Sequence, residues 1–248
     1  MSKTIVVTGG SRGIGRAVAL LAGSMGWSVG VGYREERAAA EAVVERIDTG
    51  GGRAVAIAGD VAVEADVLAL FDATEETLGP IDGAVVNAGI VGPPALLVDM
   101  HVERIRRTVD VNVTGALLCA REAARRLATS RGGRGGSIVL VSSAASRLGS
   151  PGEYVDYAAS KGAVDSLSLG LAREMAADGV RVNAVRPGVI ETDIHARSGR
   201  PDRPALLAPL IPLGRAGTPD EVAQAIVWLL SDAASYTTGA LLDVSGGR

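Results

Sequence analysis

The chain of 248 residues has one cysteine, two histidines and few aromatic residues. The lone Cys119 allows no disulfide within the chain, which fits a reducing compartment. Two histidines, with no Cys/His spacing of the zinc type, leave no ligand set, so no metal is expected. Aromatics make up 3%, so the core must be built mainly of Val, Leu, Ala and Ile. No apolar run is long enough to span a bilayer. The start, Met1-Ser2-Lys3-Thr4, lacks a signal-peptide pattern, and a cytoplasmic protein is expected. Formal net charge is −3 with both signs interspersed, so neither nucleic acid nor an anionic membrane finds an electrostatic footprint. The Arg/Gly tract Arg131–Gly136 lies between a helical pattern and a strand and reads as a loop.

Lysine is also nearly absent. Of 25 basic residues only Lys3 and Lys161 are lysines. Lys161 follows Tyr157 by four positions, in Tyr157-Ala158-Ala159-Ser160-Lys161. On a helix that spacing puts phenol and ammonium on one face, one turn apart. A nearby cation favours phenolate and is expected to lower the Tyr157 pKa, making it a candidate general acid/base. An ordinary helix-surface pair is the alternative.

Against these absences stand 33 glycines and a regular alternation of short apolar runs with helical patterns. Strands are expected at 4–8, 28–33, 54–58, 83–86, 137–141, 181–185 and 241–244. Helices are expected near 14–26, 36–48, 64–78, 101–129, 157–177 and 219–231. This rhythm predicts an α/β fold: a single doubly wound Rossmann-type domain over 1–248, with a seven-stranded, mainly parallel sheet covered by helices on both faces. The stretch 188–217 breaks the rhythm with Pro201, Pro204, Pro209 and Pro212. A substrate lid is expected at about 190–216, with Gly199 and Gly217 as hinges.

The first strand runs into Thr8-Gly9-Gly10-Ser11-Arg12-Gly13-Ile14-Gly15, and a helix follows at once. Such a turn brings backbone close to a ligand and offers a helix N-terminus to a pyrophosphate. A purely structural turn is the alternative. The spacing is G-x-x-x-G-x-G, and no Gly-Lys-Ser/Thr follows, so it is not a P-loop. The second strand ends at Tyr33-Arg34, where NAD sites usually place an acid. Arg34 and Arg12 offer guanidinium groups to a 2′-phosphate, which favours NADP(H) with NAD(H) as alternative. Glu35 and Glu36 read as the start of the next helix, and Arg34 as a merely solvated arginine remains the bland reading.

Taken in order, Thr8–Gly15, Asp60-Val61, Asn87-Ala88-Gly89, Asn112, Ser142-Ser143, Tyr157-x-x-x-Lys161 and Pro187-Gly188 resemble the classical short-chain dehydrogenase/reductase family over nearly the whole chain. The segment 146–161 looks like a branch of glucose 1-dehydrogenase-like members, and a 3-oxoacyl reductase-like assignment stands beside it. The resemblance implies Tyr157 as catalytic acid/base, with Lys161 lowering its pKa and holding the nicotinamide ribose. It implies Ser143 orienting the substrate oxygen and Asn112 supporting a water-linked proton relay. Cofactor contacts are implied at Gly9, Ser11, Arg12, Gly13, Ile14, Gly15, Arg34, Asp60, Val61, Asn87, Ala88, Gly89, Pro187, Gly188, Ile190 and Thr192. The serine lies one residue further from the tyrosine than in the family; an insertion near Ser150-Pro151 accounts for this and selects Ser143. Val86 stands where many members have a second asparagine. Membership also implies a homotetramer.

The function expected is hydride transfer between a nicotinamide and a small-molecule carbonyl or secondary alcohol. Sugar dehydrogenase and 3-oxoacyl-thioester reductase both remain open. A non-catalytic dinucleotide sensor is the alternative on the same fold, though it has no need of the proton-transfer groups. A methyltransferase reading fits poorly with Ser143, Tyr157 and Lys161. Tyr154 is expected to line the substrate pocket. His195, with only Asp193 near it in sequence, reads as a loop or substrate-facing residue.

Overall fold

The computed structural model describes residues 2–248; Met1, at the head of the expected domain, lies outside them. Seven strands form one sheet: β1 (Thr4–Val7), β2 (Ser28–Tyr33), β3 (Arg53–Ala58), β4 (Gly83–Val86), β5 (Gly136–Val141), β6 (Val180–Pro187) and β7 (Leu241–Val244). Their order is β3-β2-β1-β4-β5-β6-β7, and every pairing is parallel. The central strands β1 and β4 are buried along their whole length. That is why they read as unbroken apolar runs rather than alternating ones.

The helices are α1 (Gly13–Ser24), α2 (Arg37–Thr49), α3 (Glu64–Leu78), α4 (Val102–Val109), α5 (Gly115–Leu127), a short α6 (Ala145–Leu148), α7 (Val155–Met175), α8 (Asp193–Arg197), α9 (Arg203–Leu207) and α10 (Pro219–Leu230). α10 starts cleanly because Pro219 opens it and Thr218 and Glu221 form a reciprocal capping box. One face of the sheet is covered through Val18, Val43 and Ile226 of α1, α2 and α10. The other is covered through Phe71, Ala120 and Val164 of α3, α5 and α7. The core is aliphatic, as the composition requires, and Phe71, the sole phenylalanine, is fully buried.

The chain leaves β1 for β2 on one side and reaches β4 on the other, so the connections diverge between β1 and β4. The carboxyl ends of these strands open a crevice there, the usual place for a ligand in this architecture.

Two expectations are corrected. The single helix at 101–129 is two helices joined by a π-helical turn, Asp110–Thr114, with Asn112 at its centre. The Asn112 side chain bonds the backbone of Ile90, and the extra residue in the turn aims it there. The stretch 188–217 is not a bare loop, since it contains α8 and α9. Its ends are pinned by a parallel bridge between Ile190 and Gly217.

Candidate active site

A cleft of about 610 Å³ runs along the carboxyl ends of the strands. Its wall includes all the sequence-predicted site residues except Gly15 and Asn112. These two sit behind it. A Cβ on Gly15 would fall 2.3 Å from the Gly9 carbonyl and 2.6 Å from Asn87 Nδ2. The missing side chain of Gly15 lets α1 close on the turn. Gly9 and Gly13 hold positive φ of 64° and 51°, which glycine adopts without strain.

The turn is laced to the end of β4 by Thr8, which opens the glycine motif but was given no role of its own from the sequence. Its hydroxyl accepts from the backbone N–H of Asn87 at 2.9 Å and of Ala88 at 3.0 Å. Asn87 Nδ2 donates to the Thr8 and Gly9 carbonyls at 2.9 and 3.1 Å. One asparagine here does the shaping, so Val86 in the preceding position leaves it intact. The first turn of α1 has no side-chain cap, so its N–H groups face the crevice ready for a diphosphate. The donor set and the glycine cradle fit a dinucleotide.

At the outer end, Arg12 and Arg34 both line the cleft, but each is engaged. Arg12 Nη1 donates to Glu36 at 2.7 Å. Arg34 pairs with Glu35 and lies 3.8 Å from Asp60. Asp60 accepts from Arg107 at 2.8 Å and from the Ala62 N–H at 3.0 Å. Burial pushes its carboxyl up, but the Ala62 and Arg107 bonds outweigh this and hold it below the usual range. Glu35 and Glu36 lie just before α2 rather than opening it as expected, and their side chains turn to the arginines.

At the inner end, α7 presents Tyr157 and Lys161 one turn apart. Its low amphipathicity comes from a polar buried face, with Asp156, Ser160, Lys161, Asp165 and Ser168 all enclosed. Lys161 is 4% exposed, and its Nζ donates to the Val141 carbonyl at 2.7 Å. The ammonium lies 5.7 Å from the Tyr157 ring centre. Burial pushes the Lys161 pKa down to about 8, with Asp165 opposing. Burial also raises the Tyr157 phenol, against a lowering by Ser143. That direction is opposite to the one expected from the ammonium. Lys161 is buried and Tyr157 is half-buried on the cleft wall, and loss of water disfavours the charged form of each.

Ser143 faces Tyr157 across the cleft. Ser142 points away, buried, and its hydroxyl donates to the Lys161 carbonyl at 3.1 Å. Ser150, in the segment where the extra residue is expected, has a φ of 44° and is the one non-glycine with positive φ among the described residues. Asn112 donates to the Ile90 carbonyl and to Ser160, and accepts from the Ile90 N–H. A Cβ on Gly89 would meet Asn112 Oδ1 at 3.4 Å and Lys161 Nζ at 3.5 Å. Gly89 therefore leaves the gap between these two polar atoms open.

A further strut was not legible in the motifs. Arg104 of α4 grips Asp156 with two bonds, of 2.9 and 3.0 Å, and also holds the Pro93 carbonyl. Asp156 is next to Tyr157. Burial raises its carboxyl, but Arg104 and the Tyr157 N–H hold it below the usual range. The bridge ties the 90–97 loop, α4 and the start of α7 together. Tyr154 is 5% exposed and lines the cleft under the Arg203 guanidinium. His195 also lines it, and its Nε2 donates to the Ile190 carbonyl at 2.9 Å. Burial lowers its pKa, the Ile190 bond opposes and Arg203 adds to the lowering. No ion pair between His195 and Asp193 occurs among the described residues, so the two form no catalytic couple. Pro187, Gly188, Ile190 and Thr192 line the wall ahead of α8, and Thr192 packs at Gly13.

Comparison with known proteins agrees with this geometry. A family model described as enoyl-(acyl carrier protein) reductase matches residues 9–248. The chain is 52% identical to the uncharacterized oxidoreductase YgfF of Escherichia coli, over 98% of both chains. It is 37% identical to glucose 1-dehydrogenase 2 of Bacillus subtilis, over 99% of this chain and 94% of that one. The chain belongs to the short-chain dehydrogenase/reductase family. A crystal structure of a short-chain type dehydrogenase/reductase from Mycobacterium marinum superposes with a TM-score of 0.92 at 38% identity, covering 99% of this chain and 94% of that one. The protein is thus an oxidoreductase of the dehydrogenase type, acting on CH–OH or C=O groups with a nicotinamide cofactor and a small-molecule substrate. No helix among the described residues is long and apolar enough to cross a membrane, and no cluster of potential metal ligands occurs among them.

Proposed function

We propose an NADP(H)-preferring oxidoreductase for a carbonyl or secondary alcohol, with Tyr157 as general acid/base. The observation that carries this reading is the convergence of Tyr157, Ser143 and Lys161 at the inner end of a cleft whose outer end holds Arg12 and Arg34. A bound nicotinamide supplies or accepts the hydride. Ser143 and Tyr157 donate to the substrate oxygen and stabilise the negative charge that grows there. The raised pKa keeps the Tyr157 phenol protonated at neutral pH, ready to donate that proton. Oxidation reverses the transfer, with Lys161 stabilising the phenolate once substrate and cofactor are seated. Asn112 holds the Ile90 backbone and faces Lys161 across Gly89, where a water links them to the proton path.

Arg12 and Arg34 bind the 2′-phosphate, Asp60 and Val61 border the adenine, and the Asn87–Gly89 turn shapes the middle of the cleft. Ser11, Gly13 and Ile14 meet the diphosphate; Ile190 and Thr192 meet the carboxamide. Residues 190–216 form the lid over a substrate that rests on Tyr154. A homotetramer is part of the proposal, supported by exposed apolar side chains at Val102, Val109, Leu117 and Leu169 on α4, α5 and α7. A cytoplasmic location rests on the sparse cysteine. Sugar and 3-oxoacyl-thioester substrates both suit the site, since it combines apolar walls with the polar groups of Tyr154, His195 and Arg203.

The test is NADPH oxidation followed by absorbance over a panel of ketones, aldehydes, aldonolactones and 3-oxoacyl thioesters, and NADP⁺ reduction over alcohols and sugars, with NADH and NAD⁺ in parallel. Turnover favouring the phosphorylated cofactor supports the reading. Turnover with NADH alone contradicts the NADP preference, and absence of turnover across both panels contradicts the substrate classes proposed.

A further inference from the structure

We propose that Asp165 and Arg186 are positioning residues for the reaction: the carboxylate, one turn beyond Lys161, favours the charged ammonium, the guanidinium limits that pull, and together they set the upper pH limit of turnover. This rests on the oxidoreductase reading above, in which Lys161 works as a cation. Lys161, Asp165 and Ser168 recur at i, i+4 and i+7 on the enclosed face of α7. The Asp165 side chain is 11% exposed, and that of Arg186, on β6, is 14% exposed. Arg186 donates to Asp165 Oδ2 twice, from Nε at 3.1 Å and from Nη2 at 2.9 Å. A fork-to-fork grip would use both carboxylate oxygens. Here the second oxygen, Oδ1, is buried and has no hydrogen-bond partner among the described residues. The pairing is lopsided, and part of the carboxylate charge stays unanswered in a dry place.

From Arg186 the charges alternate outward. Asp243 of β7 lies 3.9 Å from Arg186, and Arg147 of α6 lies 3.4 Å from Asp243. Arg147 and Asp243 are 46% and 36% exposed, so water screens them. Other charges on the elements around α7 are spent elsewhere. Arg104 is bound to Asp156, Arg121 and Arg126 of α5 turn to carboxylates of α3, and Asp110 of the π turn is exposed. Tyr157 faces Lys161 from the previous turn of its own helix. Asp165 accordingly opposes the lowering that burial imposes on the Lys161 ammonium. Removing the carboxylate leaves Arg186 as an unanswered cation, so Lys161 loses its proton at lower pH. Removing the guanidinium frees the carboxylate for Lys161, which then keeps its proton to higher pH. A merely loosened pocket admits water and raises the Lys161 midpoint in either variant, so opposite signs separate charge from damage.

The chain has two lysines, Lys3 and Lys161, so protein carrying isotope-labelled lysine gives two side-chain NMR signals, which Lys3→Arg assigns. The test is pH titration of the Lys161 signal in the wild type, Asp165→Asn, Arg186→Met and the double variant, each first checked by thermal melting. NADPH oxidation by the same four proteins is followed across pH with the best carbonyl substrate. The wild-type midpoint is expected at about 8. Asp165→Asn is expected to lower it by about one pH unit, and Arg186→Met to raise it by about half a pH unit. The double variant should fall between Asp165→Asn and the wild type. It replaces the whole pair by neutral groups, which a fold tolerates better than half a pair, so it decides the sign where a single variant fails to fold. The alkaline fall of the rate should move in the same order. Midpoints that stay put, or that rise in both single variants, overturn the inference. Midpoints that shift while the alkaline fall stays fixed take the pair out of the reaction and overturn it too. Absence of wild-type turnover counts against the substrate classes proposed above, and the lysine signals still decide whether the pair governs Lys161.

Discussion

The two ends of the cleft solve the same problem, placing charge beside a ligand, in opposite ways. At the outer end Arg12, Arg34 and Arg197 are 38–46% exposed and answered by carboxylates just as wet. Water screens each pair, so each is worth little and partners can exchange. At the inner end Lys161 and Asp156 are nearly enclosed, and the site's polar groups have fixed partners: Val141 for Lys161, Arg104 for Asp156, Ile90 for Asn112. Removing one partner there strands another in a dry place. The wet end can be tuned by substitution, while the dry end either works or fails.

That contrast can be broken most sharply at Tyr157. Replacing it with Phe is expected to lower kcat about a thousandfold or more, while calorimetry finds the NADPH Kd within about twofold of the wild type. The next effect is on stability. Arg104→Leu leaves the Asp156 carboxylate unpaired and is expected to cost about 3–5 kcal/mol in urea unfolding, with Arg104→Lys recovering part. A cost below about 1 kcal/mol would make this a surface-type pair after all.

Lys161 gives an effect with a sign. Its folded pKa of about 8 lies below the ordinary 10.5. Between those values the unfolded chain binds a proton that the folded chain lacks, so this group makes stability rise with pH across that window. The wild type should therefore gain on Lys161→Met between pH 8 and 10.5, by about 2–3 kcal/mol; a difference that is flat with pH contradicts the buried, depressed lysine. The smallest effect belongs to the wet end. Arg34→Gln should weaken NADPH binding about three- to fivefold and flatten its salt dependence, as titrations at low and high salt would register.

The reach of the sequence follows the same divide. The strands were legible because parallel, doubly covered strands carry unbroken apolar runs, as in Ile5-Val6-Val7 and Ala84-Val85-Val86. The site was legible where chemistry sits in short local spacing, as in Tyr157 to Lys161 or Gly9 to Gly15. Partnerships distant in the chain were hidden: Arg104 with Asp156, Arg197 with Glu36, Thr8 with Asn87. No local pattern announces them, since charged residues on helix faces look alike until tertiary packing selects a partner. The π turn at Asn112 was hidden because a helical pattern tolerates one extra residue, and only the Ile90 backbone shows why it is there. The direction of the Tyr157 shift was misread because a charge at i+4 is visible in sequence and burial is not.

The most direct test of the account is the rate of NADPH oxidation by the wild type and Tyr157→Phe from pH 6 to 10, using the best carbonyl substrate. The account predicts a wild-type rate that holds at neutral pH and falls above about pH 8 as Lys161 loses its proton, with the variant depressed throughout and its NADPH affinity intact. A Tyr157→Phe enzyme that keeps the wild-type rate, at any pH in that range, would contradict it.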